Sequence, residues 1–179
     1  MTKLKNMRVI HIPTFRAVSS GLQTFEQLFA DDGYHHWCST HRELIRDLLY
    51  EPADFLWHEG PRETWGKGLN VWIHAVEDDV TEDDVTPWEI VDFPHGIYLV
   101  ATADEMDSED INETVRGMLQ WIEESEVFEY GDFPLSGMCN MPDEYGDVDQ
   151  SLQMAQQQIF LPLKYRKKME AQDGTSQAK

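Results

Sequence analysis

The chain has 179 residues, 34 of them acidic against 14 basic, for a formal charge of −20; 41% are apolar and 11% aromatic. That apolar share fills a packed core and argues against disorder, and the length suits one domain. A surface this anionic repels phosphate backbones and anionic lipid, so no nucleic acid and no membrane is expected as a partner, and no apolar run reaches the ~20 residues that cross a bilayer.

Residues 8–19 are an apolar, β-branched run broken by Pro13, which predicts two short strands or a bulged edge strand. Phe25, Leu28 and Phe29 stand at helical spacing over residues 24–30, enough for one or two turns before Asp31-Asp32-Gly33 breaks them. Thr40-His41-Arg42-Glu43 reads as a capping box, and Leu44, Ile45, Leu48 and Leu49 as the stripe of the helix it starts, ended by Pro52. Residues 50–68 read as a long loop carrying Tyr50, Phe55, Trp57 and Trp65. Residues 69–76 alternate as a strand, 77–86 form an acidic connection, and 88–93 and 97–103 are strands around Pro94-His95-Gly96. Asp107 or Ser108 caps a second helix with the stripe Ile111, Val115, Met118, Leu119 and Ile122. Residues 135–141 and 159–165 are the last strands, with a short helix near 148–157, and 167–179 is a polar tail.

Strand pair, helix and strand thus occur once in residues 8–76 and again in 88–165. Two such halves joined at their edges give one α+β domain over residues 1–179: an antiparallel sheet, two helices on one face, a concave groove on the other. Cys38 and Cys139 are the two cysteines, with no C-x-x-C pair; two thiols suit a reducing compartment, and a cytoplasmic location is expected, with no secretory signal after the basic start.

The six tryptophans are the most informative feature. In residues 69–76 the aliphatic set Leu69, Val71, Ile73 and Ala75 is expected beneath the helices, which leaves Trp72 on the open face. Tyr98, opposite in phase to Ile97, Leu99 and Ala101, gives the same expectation. Trp57, Trp65, Trp72, Trp88 and Tyr98 are therefore the candidate ligand-binding rings, for a small, flat, hydrophobic aromatic molecule held by stacking and apolar burial; ordinary core or loop packing is the alternative for each. Among 34 carboxylates, Glu89 beside Trp88 and Glu129 beside Tyr130 stand next to rings, where desolvation favours proton transfer. His35, His36, His41 and Cys38 lack the paired spacing of a zinc site, and residues 77–84 lack the glycine and closing glutamate of a calcium loop. No metal and no cofactor is expected, and no nucleophile elbow, P-loop or dinucleotide motif is present.

Several stretches resemble the gyrase-inhibitor-like (GyrI-like) small-molecule-binding domains. The run from Met7-Arg8-Val9-Ile10 through Pro13 to Gly21 is similar to their opening strand. Pro87-Trp88-Glu89-Ile90 through Tyr98 resembles their middle strand pair, Met118 to Ser125 their second helix, and Ile159-Phe160-Leu161-Pro162-Leu163 their closing strand. The resemblance implies a duplicated β-α-β-β unit around a central groove. It also implies capture of a planar xenobiotic, or, as in one branch of the family, hydrolysis of cyclopropane-bearing DNA-alkylating compounds, with Glu89 as the candidate catalytic carboxylate. No helix-turn-helix segment is read here, which points to a stand-alone binder. Relatives often place a groove glutamate in the penultimate strand; residues 136–141 contain none, which favours a neutral ligand. A non-catalytic sensor or sequestering protein, and an acidic interaction protein engaging a basic partner, are the rival readings.

Overall fold

The computed structural model describes residues 4–46, 54–58, 68–104, 107–131, 138–140 and 156–167. Its elements are β1 (Lys5–Ile12), β2 (Phe15–Ser19), α1 (Phe25–Leu28), α2 (Tyr34–Thr40), β3 (Asp54–His58), β4 (Asn70–Ala75), α3 (Glu82–Val85), β5 (Glu89–Phe93), β6 (Gly96–Asp104), α4 (Ser108–Glu124), β7 (Phe128–Tyr130), β8 (Met138–Asn140) and β9 (Gln156–Tyr165). The strands pair antiparallel in the order β1-β6-β9-β8-β3-β4-β2-β5, with β7 also beside β9, so the fold is α+β. The order reads the same from either end once β1 is exchanged with β5, β2 with β6, β3 with β8 and β4 with β9.

This connectivity forces the sheet to curl. β1 and β2 stand six places apart, about 29 Å in a flat sheet. Yet only Pro13 and Thr14 separate them, a link that spans at most roughly 10 Å. Pro94 and His95 make the same short link between β5 and β6, again from opposite ends. The prolines that break the β runs therefore mark the corners where the chain crosses between the two ends.

Register fixes which residues share a face. Leu56 and Ile159 both register with position 139, so they lie on one side; Trp57 and Phe160 register with position 138 and lie on the other. On the first side α4 buries Val115, Met118 and Ile122 against Leu99, Ala101, Ala103, Ile159, Leu161 and Leu163. α4 starts at Asp107, whose carboxylate accepts from the N–H groups of Glu109 and Asp110. The same side carries α1, α2 and α3 over Val18, Leu56, Trp72 and Val76. The other side carries no helix among the described residues. There Ile12, Phe55, Val71, Ile73, Phe93, Tyr98, Val100 and Phe160 pack into each other across the curl.

Two sequence expectations are corrected. The helix expected to begin at Thr40 ends there: α2 starts after Gly33, where a Cβ would collide with the Gln27 carbonyl, and buries Tyr34, Trp37 and Cys38 at i, i+3 and i+4. Its stripe is aromatic rather than aliphatic, and the Thr40 hydroxyl bonds the His36 and Trp37 carbonyls instead of capping a new helix. Residues 42–44 add one 3-10 turn, and Ile45 bridges to Val76. The stretch 50–68, expected as loop, contains β3, which sits between β4 and β8 because Phe55, Leu56 and Trp57 are strand formers with both faces to cover. Trp65, Leu48, Leu49 and residues 148–155 lie outside the described residues.

Candidate functional site

A cavity of about 450 Å³ opens on the helix-free side between β5, β2, β4 and β3. Its walls are mostly apolar: Trp57, Val71, Ile73, Val91 and Phe93, with Leu22 toward the outside. The alternation of β5 points Glu89, Val91 and Phe93 inward and turns Trp88 and Ile90 to the helices. Glu89 is exposed and lines the cavity with Ser19, its register partner. Gly21, at φ 60°, takes the left-handed conformation that favours glycine just past the end of β2; a Cβ there would lie 3.9 Å from a Glu89 carboxylate oxygen. Phe93 in this wall stacks on Phe15 and Phe55, with centroids 4.7 Å and 5.2 Å away, and Phe160 stands edge-on to Phe55.

The candidate rings do not converge. Trp57 and Glu89 meet in the cavity wall. Trp72 does not: it is buried beneath α1 and α2, 5.6 Å from Phe29, 6.2 Å from Tyr34 and 5.3 Å from His74, and its Nε1 donates to Asp54 at 3.3 Å. The phase of β4 is the reverse of that expected, because the curl buries the helix-free face as well and needs Val71 and Ile73 there. Trp88 also turns to the helix side, edge-on to Tyr34 at 5.2 Å. Tyr98 lies on the helix-free face but is fully buried against Phe160, so it fills the curl instead of lining the opening. Burial pushes its phenol well up. Glu129 pairs with Lys164 at 3.6 Å and Arg166 at 3.8 Å on the surface.

Beneath α2 lies a buried polar cluster absent from the sequence reading. Tyr34 donates to the Val18 carbonyl at 2.9 Å, and His74 Nδ1 sits 3.3 Å from the Tyr34 oxygen and 3.4 Å from Cys38 Sγ. Burial lowers His74 to about 3, helped by the charges of His35 and Arg42, and burial pushes Tyr34 well up. With the imidazole neutral and its Nδ1 within bonding distance of both Tyr34 and Cys38, the cluster acts as a satisfied polar core. Among the described residues no group of three or more His, Cys, Asp or Glu side chains is placed to hold a metal ion.

The sequence matches no protein-family model and no curated protein. Solved structures do match. The EcmrR C-terminal domain aligns over 90% of this chain and 99% of its own, at TM-score 0.61 and 16% identity. SAV2435, solved bound to tetraphenylphosphonium, aligns over 89% of this chain and 94% of its own, at TM-score 0.50 and 11% identity. The fold is GyrI-like. A longer EcmrR chain, solved in a complex with DNA, matches at TM-score 0.62 and 11% identity, and this chain spans 58% of it. At these identities the likeness concerns the backbone, so the lining of the GyrI-like curl in this chain has to be read from its own residues. No helix among those described is long and apolar enough to cross a membrane.

Proposed function

We propose that the protein binds a small aromatic molecule in the cavity on the helix-free face, with Trp57 as its stacking wall and Glu89 at its mouth. The observation that carries this reading is the apolar opening of about 450 Å³ beside a partly exposed tryptophan, next to the packed rings of the same sheet face. Although residues 136–141 hold no glutamate, Glu89 brings a carboxylate to the cavity from β5. With the formal charge of −20 drawing cations in, an aromatic organic cation fits better than a neutral molecule of the same shape. SAV2435 was solved with one such cation, and that supports the choice of probe. Sequestering or sensing a foreign compound fits this site. Glu89 stands exposed at the mouth of the cavity, which supports a role in attracting a cation rather than in proton transfer.

The test is titration with tetraphenylphosphonium and with a neutral aromatic dye, read by calorimetry and by tryptophan quenching. Trp57→Ala should weaken the cation by about tenfold or more, and Glu89→Gln by roughly fourfold with no effect on the neutral dye. Equal affinities for wild type and Trp57→Ala would remove the cavity as the site.

A further inference from the structure

A second recess, of about 490 Å³, shares no lining residue with the ligand cavity, and two histidines stand in its lining. His11 comes from the end of β1 and His95 from the corner between β5 and β6. His11 registers with Ile97, whose side chain packs into the α4 layer, so it points to the opposite side of the sheet from Ile10 and Ile12. The two imidazole rings have centroids 6.0 Å apart and planes inclined by 37°. We propose that His11 and His95 form a two-histidine clamp for a borderline transition-metal cation of the Zn²⁺ or Ni²⁺ class.

The geometry carries the assignment. With metal–nitrogen bonds of about 2.0–2.1 Å and ring nitrogens about 1 Å off-centre, two imidazoles sharing one ion have centroids about 5–6 Å apart. A small rotation of exposed side chains closes the rest, and both histidines are exposed. The backbone on each side is held: Pro94 precedes His95, and Pro13 follows His11 by two residues, so little ordering is needed on binding. Both donors are nitrogens. Imidazole suits zinc, nickel and copper, whereas calcium and magnesium ask for oxygen ligands.

Electrostatics work both ways here. The formal charge of −20 concentrates cations around the molecule, while Lys164 lines the same recess and opposes them. Its ammonium is met by Glu129 at 3.6 Å, which offsets the local repulsion. Two protein ligands leave at least two coordination positions facing the recess, to be filled by water or by a small oxygen anion. The clamp is thus an exchangeable site, independent of the aromatic cavity, whose walls it does not share.

The experiment uses the untagged full chain in magnesium-containing buffer, titrated with NiCl₂ or ZnCl₂ by calorimetry and equilibrium dialysis. One equivalent should bind, and His11→Ala and His95→Ala should each weaken it by about tenfold or more. His36→Ala and His41→Ala, on and just after α2, should leave it unchanged. Substoichiometric Ni²⁺ should broaden the imidazole resonances of His11 and His95 first. Binding that survives both substitutions, binding lost in the α2 variants, or no binding at all would overturn the assignment.

Discussion

Two helical layers cover the same face of one sheet with different chemistry. α4 is 17 residues long and presents Val115, Met118 and Ile122, and the strands beneath it answer with leucine, isoleucine and alanine. α1 and α2 are 4 and 7 residues long and present Leu28, Tyr34 and Trp37, and the strand beneath them answers with Trp72 and His74. A long helix covers its strands with many aliphatic contacts. Short helices leave more volume, which large rings fill, and rings with polar atoms bring hydrogen bonds with them. The contrast teaches that the chemistry of a sheet face follows from the helix laid on it.

The sharpest way to break this comparison is to remove the central side chain of each layer. Trp72→Ala should cost about 3–5 kcal/mol and Met118→Ala about 2–4 kcal/mol, read from urea midpoints. In a Cys139→Ser background, Trp72→Ala should also speed reaction of the buried Cys38 thiol with a disulfide reagent, whereas Met118→Ala should not. Equal acceleration in both would mean that the two layers open as one unit.

Next in size is the response to acid, which should belong to the aromatic layer. His74 binds a proton in the folded protein only near pH 3, against an ordinary value of 6.5. Below 6.5 the unfolded chain therefore holds more protons at this position than the folded one. The stability from a neutral His74 is fully present above pH 6.5 and is lost as pH falls toward 3, by about 2 kcal/mol at pH 5. His74→Gln should flatten the slope of melting temperature against pH between 6.5 and 5; an unchanged slope would move the effect elsewhere. Smaller again is Tyr34→Phe, which removes the bond to the Val18 carbonyl and should cost about 1 kcal/mol with no change at the cavity.

Much of the fold was legible because the signals were local. Pro13 and Pro94 marked the corners, Asp107 capped α4, and the stripe from Ile111 to Ile122 faced the sheet. What escaped was non-local. Thr40 to Glu43 fits a capping box as a string, but Tyr34, Trp37 and Cys38 gain more by packing on β4, and the helix sits one turn or more earlier. Trp72 pointed the wrong way because alternation gives two faces without saying which is inner, and in a curled sheet both are buried. β3 was hidden by the Pro- and Gly-rich stretch around it, although Phe55-Leu56-Trp57 is a strand-forming run. Trp57 entered the candidate set as a loop residue, so its presence in the cavity wall comes from β3 and not from the reasoning that named it.

Trp57 should show the smallest stability effect and the largest effect on binding. It is half-buried, at the edge of the packed curl, and its ring forms one wall of the cavity. Loss of a partly exposed ring removes fewer neighbours than loss of Trp72, and Trp57→Ala should shift stability by about 1 kcal/mol or less. Stability and affinity should then separate: Trp72→Ala loses stability and keeps its affinity for tetraphenylphosphonium wherever it is still folded, while Trp57→Ala moves its urea midpoint far less than Trp72→Ala and loses affinity. Parallel losses in both variants would mean that the aromatic layer beneath α2, reached through the alternate residues of β4, is part of the binding site rather than its support.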